Sequence, residues 1–474
     1  MSADARSIDA RYKNGNAQRM AGNFAAAEKE LRGVLADDLS HRDAAYSLAF
    51  MLREQGRTTA ASDVVSTWWQ HAKPDADATL SAIGFLIECS SYDPADAIVR
   101  AGRQRWPNDA RMAGRAGETA LALGKFDDAR AALIAAVTLD PNQSASWLRL
   151  SHCQRYLNLS ESDFARFAEV IENKSANQIT RICAGFALGK ALDDVGQFAR
   201  SATTLTAANS LAGQTSSWNA AAWSDLVERR LHEEFPSVQS PTRFAPIFII
   251  GMPRTGTTLV STLLSRSPDV RDRGELNWIP AIYAQLAEAG RLGDPDALLA
   301  CAQLVELQMR RDDAPARWYV DKNPLNFAYA DFILALFPNA RFVYCRRDAR
   351  DTALSIWMQH FAHDHMGFTY DFSTISQVDK DHRRFMQRWA TKFAVHILTI
   401  DYEALVSEAD AQADRLANFL SIESGLRESD KTPDRTLTTA SVWQARQPIY
   451  SSSVGRWRNY APFIPQLKAL FESR

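Results

Sequence analysis

The feature that most constrains this chain is a spacing. Gly22, Gly56 and Gly124 share a register of 34, and the same register lands on Ser90 and Asn158, both small or turn-compatible. Five positions beyond the first four of these points stand Ala27, Ala61, Ala95 and Ala129, and two positions beyond three of them stand Phe24, Tyr92 and Phe126. Pro74, Pro107 and Pro141 keep nearly the same beat. A small residue permits a tight turn, and a proline stops a helix before the next unit begins. The pattern predicts stacked helix pairs, with the alanine allowing close helix contact and the aromatic filling the seam.

This period resembles the tetratricopeptide repeat, most clearly in Leu121-Ala-Leu-Gly-Lys-Phe-Asp-Asp-Ala129 through Leu139-Asp-Pro141. From Ser160 the register slips, and Gly196 with Phe198 predicts a further pair displaced by four positions, the helices continuing to about Leu231. Phe235-Pro-Ser-Val-Gln-Ser-Pro241 then reads as a connection. After it the pattern changes to short β-rich apolar runs, Ile247-Phe-Ile-Ile250, Trp318-Tyr-Val320, Phe342-Val-Tyr-Cys345 and His396-Ile-Leu-Thr-Ile400, separated by long helical stretches. That alternation predicts a parallel, helix-covered sheet. The expected fold is therefore multidomain: all-α repeats over 1–235, a linker at 236–243, and an α/β phosphate-loop domain with a central parallel sheet over 244–474.

Composition narrows the function classes. A formal net charge of −2 gives no global pull toward nucleic acid or an anionic membrane, so a polyanion site must be a local cluster of Arg and Lys. The five cysteines form no C-x-x-C pair and read as reduced small hydrophobes. No apolar run is long enough for a membrane span, positions 1–11 are polar, and the cytoplasm is the expected location. No H-E-x-x-H or cysteine cluster points to a metal, and a homo-oligomer is compatible with the sequence.

The segment Ile247-Phe-Ile-Ile-Gly251-Met-Pro-Arg254-Thr-Gly256-Thr257-Thr258-Leu is a strand running through a turn into a helix. Such a turn lets the backbone approach an anion while the first helical N–H groups point at it. Against G-x-x-x-x-G-K-[ST], the spacing of Gly251 to Gly256 and the hydroxyl of Thr258 fit, but Thr257 takes the lysine position and Arg254 supplies a cation inside the loop. That substitution speaks against a nucleoside-triphosphate-dependent kinase, the first rival reading.

The run Pro253-Arg254-Thr255-Gly256-Thr257-Thr258 resembles the 5′-phosphosulfate loop of sulfotransferases that use 3′-phosphoadenylyl sulfate (PAPS), and its arginine looks like the tyrosylprotein sulfotransferase branch. Further on, Arg341-Phe-Val-Tyr-Cys345 leads into Arg346-Arg347-Asp348-Ala349-Arg350-Asp351, with Ser355 eight positions after Arg347. This is similar to the family's 3′-phosphate element, with Arg347 and Ser355 at the matched positions and Arg346 and Arg350 left to surface or salt-bridge roles. Glu275, at the matching distance beyond Arg254, stands where that branch places its catalytic base, although the family's paired glutamates become Gly-Glu here. Lys322, in Asp321-Lys322-Asn323-Pro324, resembles the K-D-P lysine that contacts the bridging oxygen. Tyr402, Ser441 and Arg456 lie in regions that hold the base and close over the cofactor in the family, and Tyr402 reads equally as a packed aromatic.

The resemblance implies metal-independent transfer of a sulfuryl group from PAPS to an acceptor hydroxyl, a protein or peptide tyrosine being one such acceptor. Arg254 and the loop would hold the phosphosulfate, Glu275 would take the acceptor proton, and Lys322 would stabilise the leaving oxygen. The repeats would then serve acceptor choice or assembly. A repeat adaptor without catalysis is the second rival, and the intact cationic set speaks against it.

Overall fold

A computed structural model of the chain describes residues 3–238, 244–361, 364–422, 425–427 and 452–471. It divides into two compact units. The first comprises Met1–Asp140 and Glu306–Pro315, the second Pro141–Val305 and Ala316–Arg474.

In the first unit the repeating beat becomes four helix pairs: Ala3–Met20 with Phe24–Asp37, Arg42–Glu54 with Thr58–Ala72, Ala76–Glu88 with Tyr92–Arg105, and Ala110–Ala122 with Phe126–Leu139. Each pair turns on the register residue, and Ser90 takes the same left-handed conformation as the glycines, with φ 63°. Ala27, Ala61, Ala95 and Ala129 are fully buried. The aromatics do not act alike. Tyr92 is buried and Phe126 half-buried, but Phe24 is 42% exposed, so the seam is filled mainly by Leu31, Leu48 and Val65.

The segment Glu306–Pro315 completes this unit. Its Asp312 carboxylate accepts from the backbone N–H of Thr59 (2.7 Å) and Ala60 (2.9 Å). Those are first-turn donors of helix Thr58–Ala72, whose own N-cap, Arg57, provides no side-chain bond. Gln308 donates to the carbonyls of Arg53 (3.0 Å) and Glu54 (2.6 Å) at the end of the preceding helix. A Cβ at Gly56 would stand 2.4 Å from the Leu307 carbonyl oxygen, so this glycine serves both the turn, at φ 71°, and the close approach of Leu307.

The second unit begins with helices that still follow the repeat. The first-helix N-caps His41, Asp75, Asp109, Gln143 and Asn177 keep the register of the glycines without a break. The slip is therefore internal to the pairs. The three earlier of these first helices have 13 residues each, whereas Ser144–Ser151 has 8 and Gln178–Asp194 has 17. The added length is about one helical turn, which is why the turn glycine moves to Gly196. Helices Phe198–Thr215 and Ala220–His232 follow.

The last of these is bound into the α/β part by Arg230, whose side chain is fully buried. It forms an ion pair with Asp331, a second with Glu233 (2.8 Å), and donates to the Ala328 carbonyl (3.2 Å). The rings of Tyr283, Phe235 and Tyr329 surround it at 4.8, 5.0 and 5.4 Å. Asn209 donates to the Trp357 carbonyl (3.0 Å), and the Trp223 indole to Asp381 (2.9 Å). The change of secondary-structure type near 236–243 and the division into compact units at Asp140 are thus different boundaries, because these buried polar contacts hold 141–232 to the sheet-bearing part.

Among the described residues the sheet has five parallel strands, β1 (Ile247–Gly251), β2 (Val270–Asp272), β3 (Trp318–Asp321), β4 (Arg341–Arg346) and β5 (Ile397–Asp401), in the order β2-β3-β1-β4-β5. Four match the apolar runs. The edge strand β2 has a single apolar residue, Val270, too little for a pattern, and is fixed by pairing Val270, Arg271 and Asp272 with Trp318, Tyr319 and Val320. Successive connections run to one side of β1 and then to the other, so a crevice opens at the carboxyl ends beside β1. Among the described residues no helix is long and apolar enough to cross a membrane.

Arg230→Met is expected to destabilise the second unit by about 3–5 kcal/mol, because it leaves Asp331 buried without its cation. Arg230→Met/Asp331→Leu should recover most of that loss in urea unfolding. A chain truncated to begin at position 239 should aggregate on size exclusion, since it strips the partners of Asp331, Trp357 and Asp381 together.

Candidate functional site

β1 is buried along its length and delivers the chain into the loop 251–256. The loop is closed by the Thr255 hydroxyl donating to the Met252 carbonyl (2.7 Å). Arg254 is held at φ 70°, a conformation that costs a non-glycine residue about 1–3 kcal/mol and that turns its side chain out of the strand direction. Helix Thr257–Leu264 follows, capped by Gly256 at φ 97° with no side-chain bond, so its first N–H groups face the loop. Pro253, Thr255 and Thr257 are buried; Thr258 is half-buried.

The second element leaves β4. Asp348 caps helix Ala349–Trp357 by accepting from the N–H of Arg350 and Asp351. Arg347 is 6% exposed and reaches back under the loop, donating to the carbonyls of Arg254 (3.0 Å) and Ser453 (2.7 Å). Its guanidinium lies 4.5 Å from the Tyr402 ring centroid, and its buried Nε has no acceptor among the described residues. Ser355, two turns along the helix, accepts from Arg254 Nε at 3.1 Å. The structure therefore brings Arg254, Arg347, Ser355 and Tyr402 together from the segments that follow β1, β4 and β5. Arg346 and Arg350 are salt-bridge residues, paired with Asp401 and Asp348, each at 2.8 Å.

Glu275 and Lys322 form the third element. Lys322 Nζ donates to Glu275 Oε1 at 2.8 Å; the Lys322 side chain is 3% exposed and that of Glu275 53%. Asp321 sets this geometry. Its carboxylate accepts from the N–H groups of Asn323 (2.9 Å) and Leu276 (3.2 Å) and from Asn326 Nδ2 (2.9 Å), tying the loop after β3 to the loop after β2. Burial pushes the Asp321 carboxyl up to about 7, against the pull of those donors and of Lys322. Asp272 fixes the other side, accepting from Gly274 N–H (2.8 Å) and from the Ser261 hydroxyl of the loop helix.

One further expected residue lies within the described part of the chain. Arg456 is ion-paired with Asp193, a buried carboxylate on helix Gln178–Asp194 that also accepts from the Tyr460 hydroxyl (2.7 Å). A buried carboxylate demands such a partner, so Arg456 fastens the helices to the C-terminal segment. Ser441 lies outside the described residues. His360 stacks on Phe186 at 5.4 Å and meets the Tyr370 hydroxyl, a packing role; His363 is also outside the described residues.

Sequence reading missed Asp351 and His152. Asp351 accepts from the N–H of Gly455 (2.6 Å) and Trp457 (2.9 Å), which holds the strap 452–457 beside Arg347; its only sequence signal is an acidic residue inside an arginine cluster. His152 follows the shortened helix Ser144–Ser151. Burial and the neighbouring Lys190, Arg254 and Arg149 push its pKa down to about 3. No motif marks it. Among the described residues no three His, Cys, Asp or Glu side chains gather to hold a metal.

With this geometry in place, the comparisons are specific. Residues 246–425 match the model of the sulfotransferase family. That match covers the sheet-bearing part of the chain, behind helix pairs that repeat every 34 residues. The chain is 27% identical over 413 residues to an uncharacterised protein of Aquifex aeolicus (strain VF5), covering 82% of this chain and 54% of that one. Protein-tyrosine sulfotransferase A of Caenorhabditis elegans is 29% identical over 234 residues, covering 43% of this chain and 58% of its own. Among solved structures, the sulfotransferase domain from the Synechococcus PCC 7002 olefin synthase is 16% identical over 50% of this chain and 96% of that one, with a TM-score of 0.33. The chain spans about half the length of the first two relatives.

A Cβ at Gly256 would stand 2.7 Å from Tyr402 Cδ2, on a backbone that L side chains rarely adopt. Gly256→Ala is expected to cost about 1–3 kcal/mol in chemical denaturation. Adding Tyr402→Ala should recover the steric part and leave the conformational part.

Proposed function

We propose that this protein is a sulfotransferase that moves a sulfuryl group from PAPS to an acceptor hydroxyl, without a metal. The observation that carries the reading is the convergence of Arg254, Arg347 and Ser355 at one edge of the sheet, next to the strands that end in the Glu275–Lys322 pair. The buried, unpartnered Nε of Arg347 suits an anion there.

The loop 253–258 and Arg254 would hold the 5′-phosphosulfate, with Arg347 and Ser355 on the 3′-phosphate and Tyr402 as the wall between them. The acceptor oxygen attacks sulfur in line as the bond from sulfur to the bridging phosphate oxygen breaks, and the leaving group is adenosine 3′,5′-bisphosphate. Glu275, the exposed member of its pair, takes the acceptor proton; buried Lys322 stays fixed and stabilises charge on the bridging oxygen. Likeness to protein-tyrosine sulfotransferases makes a peptide tyrosine the first acceptor to test, and repeat arrays present a surface on which such a partner can dock. The cysteines among the described residues are free, which suits a reducing compartment, the cytoplasm.

Adenosine 3′,5′-bisphosphate should bind at least tenfold more tightly than 5′-AMP in calorimetry, with excess chelator present, because 5′-AMP leaves Arg347 without its phosphate. Equal affinities would remove the 3′-phosphate site. Glu275→Gln should lower ³⁵S transfer from labelled PAPS at least 100-fold while nucleotide affinity changes less than threefold, the pattern of a base acting on the acceptor side.

A further inference from the structure

A cationic cavity lies against the strap 452–457, which contributes Trp457 to its lining. Its volume is about 710 Å³, within the range of small-molecule sites. Arg350, Lys380, Arg383 and Lys468 line it with a single carboxylate among the described residues, Asp379. Asp379 is already committed to Arg383 (2.6 Å) and Arg350 to Asp348 outside the cavity, whereas exposed Lys380 and Lys468 have no carboxylate partner among the described residues. The remaining wall is built: Trp457, Ser376 and Phe471 are buried, and the Ser376 hydroxyl donates to the Leu470 carbonyl at 3.0 Å, closing the end of the chain over helix Phe372–Lys392. Like charges converging on a concave, partly apolar surface repel one another and focus a field that an anion relieves.

We propose that this cavity is a binding site for a phosphorylated small molecule, separate from the site at Arg254 and Arg347. Lys380, Lys468 and Arg383 meet the phosphate oxygens, and the apolar wall takes the carbon skeleton. A single inorganic oxyanion would fill only a small part of the volume, which is why a phosphate ester is the fitting class. The site borders the strap on which the first site leans. The Arg350 guanidinium lies 4.1 Å from the Trp457 ring centroid, the Trp457 N–H is held by Asp351, and the Ser453 carbonyl by Arg347.

The test uses the full chain and phenyl phosphate as probe, with inorganic phosphate as the second arm, in calorimetry at low salt. Phenyl phosphate should bind the wild type more tightly than inorganic phosphate does. Lys380→Glu/Lys468→Glu, two exposed positions whose exchange leaves the fold intact, should weaken phenyl phosphate at least tenfold, and Arg254→Ala should leave it unchanged. Loss in Arg254→Ala with retention in the double variant would place the anion in the first site and overturn the inference. No binding to the wild type would overturn it equally. Because the readout is binding of phenyl phosphate, it stands whether or not PAPS is the sulfuryl donor.

Discussion

The ladder between β1 and β4 is the constraint on which the rest of the site depends. Its register runs from Ile247 opposite Arg341 to Gly251 opposite Cys345, so the two strands end at the same level. A side chain at Gly251 would place its Cβ 2.3 Å from the Cys345 carbonyl oxygen, which shows how closely the loop must begin against its neighbour. From that common level the chain needs three steps to reach Arg254 and two to reach Arg347, and the guanidinium of the second can support the carbonyl of the first. A single-step shift of one strand in the ladder would turn that strand over relative to its neighbour and send the two arginines to opposite faces.

Around this pair the protein manages an excess of positive charge. Arg346 and Arg350 are neutralised by Asp401 and Asp348, and Arg456 by Asp193, so Arg347 is the member of the cluster kept facing backbone carbonyls and an aromatic ring. His152 beside Arg254 is held neutral by burial and the same crowding. The helices 141–232 take part in this arrangement through Asp193 and, further back, through Arg230, so the part of the chain that looks like repeat is also scaffold for the α/β part.

Local features were legible in the sequence. The glycine register, the turn into Gly256 and the strand preceding Arg347 each depend on a few neighbouring residues whose chemistry is position-specific. What stayed hidden depends on distant partners. β2 is a strand only because β3 lies beside it, and the ion pair that Arg456 makes with Asp193, from the other half of the chain, has no local signal. The slip after Ser160 was visible as a displaced glycine, but its cause, one added turn between Asn177 and Gly196, needed the helix ends. The helices end at His232, close to the expected Leu231, but what their outer faces are buried against is not written in the periodicity, which reports only how a helix pair is made.

The segment Glu306–Pro315 bears on how such a protein can change over generations. A repeat array joined to its neighbour by a lone peptide bond can be exchanged by recombination as a cassette. Here the second pair depends for the start of one helix on Asp312, and for the end of another on Gln308, both inherited from far downstream in the chain. Replacing the stretch up to Asp140 alone would leave those donors and acceptors without counterparts, so array and sheet-bearing part are bound to vary together. Variation is freest where neither Asp312 nor Gln308 reaches, in the pairs farther from the turn at Gly56.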